Sequence, residues 1–402
     1  MTFGGACLGK ADGKAVFIPY AVPGETLSVD VTEEKRDYNT ARIVEILTPS
    51  PHRVQPICPL YGTCGGCNMM HIDDAYQQEL RAGVLKDTFE RAGIVPPQIQ
   101  IIAGSASGYR SRFQFHNGSL QARRSNTEFP LTYCPVAVKE INDWLASVPQ
   151  SARPSGRVHV FGGSFAEPNF VIAEAAGMAE PVMQPRSAVR GKGRRTVGKK
   201  ATNRHFAGTL PDPAFIVQAR ILNKTVKFDV RGFFQSNIPV LEKAIETLCE
   251  DLSGRSVLDM YAGAGTFSVF LADKFERVTM VEHNRDALAF AEINMAGTVH
   301  ESYGISGEKW TAEHAETIIR SNGSFDAVVI DPPRSGMETA VCKWLCENHP
   351  RIIRSVSCDP ATHARDIVRL VQAGYTLERL YLLDFYPQTS HIESLAFLSY
   401  HA

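Results

Sequence analysis

The strongest constraint on the fold is a regular alternation of apolar strands and helices in the second half of the chain. From Phe233 onward, segments with helical periodicity separate short apolar runs: SVLDM, RVTMVE, FDAVVI and RIIRSV. This alternation is typical of parallel strands that are covered on both faces of the sheet. The sequence therefore predicts a doubly wound α/β sheet in a domain of residues 231–402. Its helices are expected at 239–250, 266–274, 285–295, 338–348 and 361–373.

The last two strands differ from the others. TLERLYLLDFYP and ESLAFLSY are joined only by the short segment QTSHI, which predicts an antiparallel hairpin at the end of the domain. An antiparallel last strand begins at the edge of the sheet where the parallel strands end, and Glu393 is its first residue. This carboxyl edge is where α/β sheets bind their ligands. Glu393 is therefore a candidate site residue.

The first half of the chain predicts two further units. Residues 1–48 contain short strands broken by Gly and Pro and show no helical periodicity, which favours a small β-barrel. Residues 49–230 predict a mixed α/β central domain. Within it, apolar residues recur at helical spacing over 74–92, and we expect this helix to dock on the C-terminal domain.

Composition and charge limit the class of protein. The 42 Lys and Arg residues nearly balance the 43 Asp and Glu residues, and 44% of the chain is hydrophobic, which excludes a disordered or polycationic protein. Residues 186–204 are a local exception, with eight Arg or Lys and no acidic residue, and suit either a phosphate-binding surface or a solvated loop. We find no signal peptide and no apolar run of membrane length, and we expect a cytoplasmic protein.

A glycine-containing loop predicts a nucleoside-binding site. In VLDMYAGAGTF, Gly263 and Gly265 lie between a buried strand and a helix, where the backbone can approach a ligand closely. Glu282 ends the following strand and can bind both hydroxyls of a ribose. These residues suit a nicotinamide dinucleotide as well as a methyl donor. A glycine turn that serves only strand–helix packing is the alternative without a ligand.

Two further reactive side chains are predicted at the same edge of the sheet. Asp331 follows the strand FDAVVI and Cys358 follows the next strand, so both should lie beside Glu393. Taken singly, a cysteine is more often a small buried apolar residue and a glutamate a solvated one. The joint placement of the three residues favours a reactive site.

Several ordered motifs resemble one family of enzymes. VLDMYAGAGTF, DPPRSG, SCDPATHARD and HIES, with GFFQSN before the sheet, closely resemble the S-adenosylmethionine-dependent RNA uracil-5 methyltransferases. Residues 1–48, which include AVPGE, resemble the TRAM RNA-binding barrel that many members carry. The resemblance covers nearly the whole chain and implies a Rossmann-like methyltransferase sheet.

The resemblance implies roles for six residues. S-adenosylmethionine would be the methyl donor, bound by Gln235, Tyr261, Glu282 and Asp331. Cys358 would be the nucleophile and Glu393 the proton acceptor. One position departs from the family, because His314 stands where such enzymes often place Asp or Asn against the adenine. His314 is therefore not assigned to the site.

The chemistry of uracil explains why such a site needs a thiol and a carboxylate. Carbon 5 is a poor nucleophile until an anion adds to carbon 6, and a cysteine thiolate is nucleophilic even when little of it is ionised. The methylated adduct must then lose its carbon 5 proton to a base before the thiolate can leave. Cys358 and Glu393 suit these two steps.

Four of the nine cysteines predict a metal centre. Cys58, Cys64 and Cys67 follow the pattern C-x5-C-x2-C, and Cys134 lies in YCPV. This spacing favours an iron-sulfur cluster over zinc, which usually takes two short paired units, and zinc stays the alternative. The family resemblance points to a [4Fe-4S] cluster, for which we expect a structural role.

RNA is the predicted partner, and no obligate protein partner is evident. The barrel and the cysteine cluster together favour 23S ribosomal RNA, with the same chemistry on a tRNA uridine as the alternative. The target uridine must leave its stack to reach Cys358, which favours an unpaired site. Two rival classes stay open: an iron-sulfur oxidoreductase that uses a nicotinamide cofactor, and a non-catalytic RNA-binding module.

Overall fold

The structure is a computed structural model that describes residues 1–11, 13–123, 125–174, 208 and 210–401. The basic run at 186–204 lies outside these residues. Among the described helices, none is both long enough and apolar enough to cross a membrane.

The N-terminal residues form a four-stranded sheet. Its strands are β1 (Cys7–Ala11), β2 (Lys14–Ile18), β3 (Thr26–Glu34) and β4 (Tyr38–Thr48). They are ordered β1-β2-β4-β3, and Val16, Ile18 and Ala41 pack in a small core on one side. Strand β1 was not predicted, because CLGKA has no apolar alternation. The expected closure into a barrel stays a prediction.

The central region is built mainly from short strands. Its elements are α1 (Asp74–Arg91), β5 (Gln100–Ile102), β6 (Arg112–His116), β7 (Leu120–Gln121), β8 (Glu128–Phe129), α2 (Lys139–Ser147), β9 (Arg157–Gly162), β10 (Ala166–Glu167), β11 (Phe170–Glu174), β12 (Ile216–Ile221) and β13 (Lys224–Asp229). Two three-stranded sheets form, in the orders β11-β9-β6 and β10-β12-β13, and β7 pairs with β8.

The C-terminal region has the predicted alternation of strands and helices. Its elements are α3 (Ile238–Leu248), β14 (Gly254–Met260), α4 (Ser268–Leu271), β15 (Phe275–Val281), α5 (Arg285–Asn294), β16 (His300–Tyr303), α6 (Gly307–Glu313), α7 (Ala315–Asn322), β17 (Ala327–Ile330), α8 (Thr339–Asn348), β18 (Ile352–Ser357), α9 (Pro360–Gln372), β19 (Tyr375–Leu383) and β20 (Glu393–Tyr400).

These strands form one eight-stranded sheet in the order β16-β15-β14-β17-β18-β20-β19-β5. The four pairings from β16 to β18 are parallel, whereas β20 runs antiparallel to both of its neighbours, β18 and β19. Adjacent residues of β14 enter different cores, Val257 on one face and Leu258 on the other. The sheet is therefore buried on both faces, and the predicted α/β fold with a mostly parallel sheet is confirmed.

Two elements from the central region complete this sheet. Helix α1 packs against α9 and β19, and its Leu85 and Phe89 belong to one of the two sheet cores. Strand β5 pairs in parallel with β19 at the edge of the sheet. In addition, Val217 and Val226 of β12 and β13 share the other core with α3. The hydrophobic core is therefore continuous across the predicted domain boundary at 230, and the boundaries stay predictions.

The sequence placed two parts of the C-terminal region incorrectly. The helix predicted at 266–274 is only the single turn of α4, because β15 already begins at Phe275. Strand β16 and helices α6 and α7 were not predicted. Strand β16 is a short edge strand of mixed polarity (HESY). Helices α6 and α7 meet at His314, so their combined sequence does not keep one regular spacing of apolar residues.

Candidate active site

Three of the predicted site residues lie at the carboxyl edge of the parallel strands. Asp331 directly follows β17, and Cys358 directly follows β18. Glu393 is the first residue of β20, and Ser357 of β18 pairs with Ser394 of β20. Because β20 runs against β18, its first residue lies beside the last residue of β18. The topology thus brings the thiol and the two carboxylates to one edge.

The loop after β14 contains three residues with positive φ angles. Tyr261, Gly263 and Gly265 have φ angles of +67°, +55° and +77°. A Cβ atom on Gly265 would lie 3.1 Å from Ala291 of α5, so packing explains this glycine. A Cβ atom on Gly263 would meet nothing within 4 Å, so packing does not explain that one. Its open side leaves room for a ligand against the backbone.

Glu282 is held directly beneath this loop. Its Oε2 accepts a hydrogen bond from the Gly263 amide at 3.0 Å, and its Oε1 accepts one from the Asn284 amide at 2.6 Å. The residue is only 7% exposed. Oε1 also lies 3.1 Å from Nδ1 of His283, whereas Oε2 keeps a second lone pair that can accept a hydroxyl group of a bound ribose.

Three carboxyl groups near the loop hold their protons unusually strongly. Burial, followed by the charge of Glu282, raises the pKa of Asp331 to about 7. Burial, followed by the charge of Asp331, raises the pKa of Glu393 to about 8. Asp259 of β14 has a pKa raised to about 7, mainly by burial, although the Ser268 hydroxyl donates a hydrogen bond to it. A cation bound here would favour the ionised forms.

Cys358 lies in this acidic environment. Burial and then the charges of Glu393 and Asp331 raise the pKa of its thiol, while the positive charge of Arg334 lowers it. The next residue, Asp359, caps α9 by accepting hydrogen bonds from the amides of Ala361 and Thr362. The thiol is therefore fixed between the end of β18 and the beginning of α9.

Gln235 lies beside Glu393. Its Nε2 lies 3.4 Å from Oε2 of Glu393 and donates to it, which opposes the rise in the pKa of that carboxyl group. Its Oε1 accepts a long hydrogen bond of 3.5 Å from the Tyr386 hydroxyl. The structure therefore joins this predicted donor-binding residue to the predicted proton acceptor.

Tyr261 is held by a residue that sequence reasoning missed. Its hydroxyl accepts a hydrogen bond from the Glu338 amide at 3.1 Å and donates one to Oε2 of Glu338 at 3.4 Å. The same Oε2 accepts from the Glu308 amide at the beginning of α6. The hydroxyl of Tyr261 is thus engaged within the protein, and its amide donates to the carbonyl of Val281 at 2.8 Å.

Arg334 and Tyr386 are two further site residues that the sequence did not single out. The charge of Arg334 lowers the pKa of Cys358, Glu393 and His391. Tyr386 precedes β20, and burial followed by the charge of Glu393 raises the pKa of its phenol. Arg334 lies within the DPPRSG motif and could have been found there. For Tyr386 no comparable signal exists before the loop is folded.

The four predicted metal-binding cysteines line one cavity of about 180 Å³. Burial raises the pKa of Cys64, Cys67 and Cys134, in the case of Cys67 to about 12. The Gly66 amide donates to the Cys64 sulfur at 3.3 Å. Within the part of the chain that the structure describes, however, no group of three or more His, Cys, Asp or Glu side chains is placed to hold a metal ion. The cysteines are gathered, but a metal centre is not shown.

Comparison with known proteins gives similarities along nearly the whole chain. Residues 215–401 match the family model described as tRNA (Uracil-5-)-methyltransferase. A Treponema denticola protein named as an uncharacterized RNA methyltransferase is 34% identical, over 98% of this chain and 96% of its own. The 23S rRNA (uracil(1939)-C(5))-methyltransferase RlmD of Chromohalobacter salexigens is 30% identical, over 96% and 85% of the two chains.

A solved structure shares the fold. The tRNA (uracil-54, C5)-methyltransferase of Pyrococcus abyssi, in complex with S-adenosyl-L-homocysteine, superposes with a TM-score of 0.68. The match covers 95% of each chain at 22% sequence identity. The shared architecture therefore includes the regions before the C-terminal sheet.

Proposed function

Because this chain belongs to the RNA uracil-5-methyltransferase family, we propose that it methylates carbon 5 of a specific uridine in 23S ribosomal RNA. S-adenosylmethionine is the co-substrate. The proposal rests on one observation. Cys358, Glu393 and Asp331 lie at one edge of the sheet, beside the loop that contains Gly263. Membership in this family excludes the alternative function that the sequence had left open, that of a nicotinamide-dependent oxidoreductase.

The choice of 23S ribosomal RNA is supported by the relatives. The named 23S rRNA enzyme is similar over almost the whole chain, including the regions that precede the catalytic sheet. A tRNA uridine is the second candidate, because the family model and the solved relative are both named for tRNA. The same site chemistry would serve either substrate.

The first chemical step is the addition of the Cys358 thiolate to carbon 6 of the target uracil. The new sulfur–carbon bond moves the electrons of the C5–C6 double bond onto the carbonyl oxygen as an enolate. Burial and then the charges of Glu393 and Asp331 raise the pKa of the thiol, and the positive sulfonium of the donor would offset those two charges. Donor binding thereby promotes formation of the thiolate.

The second step transfers the methyl group, and the third releases the product. Carbon 5 of the enolate attacks the methyl carbon, and the methyl–sulfur bond breaks to leave S-adenosylhomocysteine. Glu393 then takes the carbon 5 proton, the C5–C6 double bond re-forms and the Cys358 sulfur leaves. A carboxylate whose pKa is raised to about 8 is a stronger base than an ordinary glutamate, which suits proton removal near neutral pH.

Two substitutions separate these steps. Cys358→Ala should abolish both methyl transfer and any covalent RNA–protein species, because no adduct can form. Glu393→Gln should allow the adduct and block its release, so that a denaturation-resistant RNA–protein band accumulates. Cys346→Ala, on α8 and outside the site, is the matched control and should retain activity. Full turnover by Cys358→Ala would refute the proposed mechanism.

We further propose that Cys58, Cys64, Cys67 and Cys134 hold a [4Fe-4S] cluster. The proposal is supported by the single cavity that all four thiols line and by the Gly66 amide that donates to a sulfur. Iron would stabilise thiolates that burial otherwise disfavours. The cluster would cross-link the central region, without a part in the methyl transfer.

Anaerobic purification tests the metal assignment. A brown protein with equal amounts of iron and inorganic sulfide, lost in Cys67→Ser, is the expected result. A colourless protein that contains one zinc ion per chain would contradict it.

A further inference from the structure

The connection between β19 and β20 contains a residue in a costly backbone conformation. Gln388 has a φ angle of +68° and is only 6% exposed. Residues other than glycine persist in this left-handed region only where surrounding contacts fix them. Gln388 lies two residues after Tyr386 and five residues before Glu393. Its conformation therefore sets the path of the chain between two residues of the active site.

Hydrogen bonds from the central region account for every polar group of Gln388. Its amide donates to Oε1 of Gln77 at 3.0 Å, and its own Oε1 accepts from Nε2 of Gln77 at 3.0 Å. Its Nε2 donates to Oδ1 of Asp74 at 2.7 Å. Its carbonyl accepts from the amides of Asn68 and Met69, each at 3.0 Å. Gln77 and Asp74 belong to α1, and Asn68 directly follows Cys67.

The neighbours of Gln388 in the connection are fixed by the same region. The Ser390 amide donates to Oδ1 of Asn68 at 2.8 Å, and Nδ2 of Asn68 donates to the Ser390 hydroxyl at 2.9 Å. The carbonyl of Pro387 accepts from the buried Tyr109 hydroxyl at 2.9 Å. The connection is thus tied to the central region at three of its residues, Pro387, Gln388 and Ser390.

We propose that Gln388 is a positioning residue for the proton-removal step, acting through the loop that carries Tyr386 and Glu393. Asp74 and Gln77 of α1, with the backbone of Asn68 and Met69, hold Gln388 in its left-handed turn. The contribution of the central region to catalysis is then to fix the place of the base, in addition to any contact with RNA. This inference rests on the proposed function, because it assigns Glu393 as the base.

Reversing the polarity of one hydrogen bond tests the proposal. In Gln388→Glu, the new carboxylate faces the carboxylate of Asp74 and can no longer donate to its Oδ1. Repulsion between the two carboxylates should then release the loop between β19 and β20. Adding Asp74→Asn restores the bond, because the new amide donates to the new carboxylate. Asp74→Asn alone should leave kcat unchanged, because its amide oxygen still accepts a hydrogen bond from Gln388.

A second variant, Gln77→Ala, removes the hydrogen bonds that Gln77 of α1 makes with Gln388. Gln372→Ala, at the exposed end of α9, is the matched control.

The expected result is a specific loss of the release step. Displacement of a catalytic group by about 1 Å can cost on the order of 100-fold in rate, and we expect Gln388→Glu and Gln77→Ala to lose at least about 10-fold in kcat. Covalent RNA–protein adduct should accumulate in both variants, and S-adenosylhomocysteine should bind with unchanged affinity. The double variant Gln388→Glu with Asp74→Asn should recover most of the rate and lose the adduct.

Three outcomes would overturn the proposal. One is full kcat in Gln388→Glu and Gln77→Ala, and another is a loss of kcat that the double variant does not repair. The third is a loss of S-adenosylhomocysteine binding together with activity, which would mean that these contacts support the whole fold. Failure of the proposed function would look different, because the unsubstituted protein would then form neither adduct nor methylated uridine.

Discussion

At the scale of single residues, the site is organised around buried acidic groups that favour a cationic ligand. Burial raises the pKa of Asp331 to about 7 and that of Glu393 to about 8. Both groups therefore lose their protons within the range where enzymes usually work, and the site becomes more negative as the pH rises. The sulfonium of S-adenosylmethionine is positive, whereas the thioether of S-adenosylhomocysteine is neutral.

The affinity for S-adenosylmethionine should therefore rise with pH more strongly than the affinity for S-adenosylhomocysteine. As the pH rises from about 6 to about 9, the ionisation of Asp331 and Glu393 should tighten S-adenosylmethionine binding about tenfold. S-adenosylhomocysteine binding should change much less. Calorimetric titration of both ligands measures the difference, and Glu393→Gln should reduce it. Equal pH dependence of the two affinities would contradict this reading of the site.

The sequence could predict where the site residues lie, but not which residues support them. Asp331 and Cys358 end successive parallel strands and Glu393 begins an antiparallel one, so topology alone brings them to one edge. Glu338 and Tyr386 could not be predicted in the same way. Glu338 touches Tyr261 from 77 positions away, and this contact exists only once the helices are packed.

At the scale of elements, α1 has a polar face that contacts the loop before Glu393. Asp74, Gln77, Gln78 and Arg81 recur at the spacing of one helix face, and all four bond to residues of the 384–388 segment. The sequence revealed only the apolar positions of this helix. The polar face could not be interpreted, because its partners lie more than 300 positions later in the chain.

The buried ion pair of this face should be important for stability. Arg81 donates to Oδ1 of Asp384 at 2.8 Å, and both side chains are 1% exposed. Arg81→Met leaves the buried carboxylate of Asp384 without its cationic partner and should lower the free energy of unfolding by about 3–5 kcal/mol. Lys86→Met on the same helix removes an exposed pair with Glu90, which solvent screens, and should lower the free energy of unfolding much less. Chemical denaturation compares the two, and equal shifts would contradict the importance of the buried pair.

Strand β5 shows the same limit of sequence-based prediction. The large strands of the sheet were predictable because their apolar runs are long and are flanked by helices. The strand β5 has only the three residues QII and takes its place by pairing with β19, some 280 positions later. Whether a short edge segment forms a strand depends on the strand it pairs with, and its own sequence indicates its structure only weakly.

In the molecule as a whole, elements of the N-terminal half complete the C-terminal sheet. Strand β5 extends the C-terminal sheet and helix α1 packs against α9 and β19. The Asn68–Met69 backbone after Cys67 bonds to the loop before Glu393. The four-stranded N-terminal sheet and the cysteine cavity are thus joined to the site through the central region. An RNA bound to the first half of the chain would be held in a fixed relation to Cys358.

The basic run at 186–204 should contribute to that RNA binding. We predict that replacing four of its residues with alanine weakens binding and flattens its salt dependence, with a change in slope of up to about 0.7 per lost phosphate contact. The four are Arg194, Arg195, Lys199 and Lys200. Filter binding at several salt concentrations measures the slope. Alanine at four exposed lysines elsewhere, Lys86, Lys139, Lys309 and Lys343, is the control. Unchanged affinity in the first variant would make the run a linker.

The proposed activity is methyl transfer to carbon 5 of a uridine by the site around Cys358. Its most direct test is mass-spectrometric mapping of RNA after incubation with S-adenosylmethionine that carries a deuterated methyl group. We would supply 23S ribosomal RNA and tRNA that lack 5-methyluridine separately, with Cys358→Ala as the control. We expect deuterated 5-methyluridine at a specific uridine of 23S ribosomal RNA with the unsubstituted protein alone. Label only in tRNA would contradict the choice of substrate, and the absence of labelled 5-methyluridine from both RNAs would contradict the proposed activity.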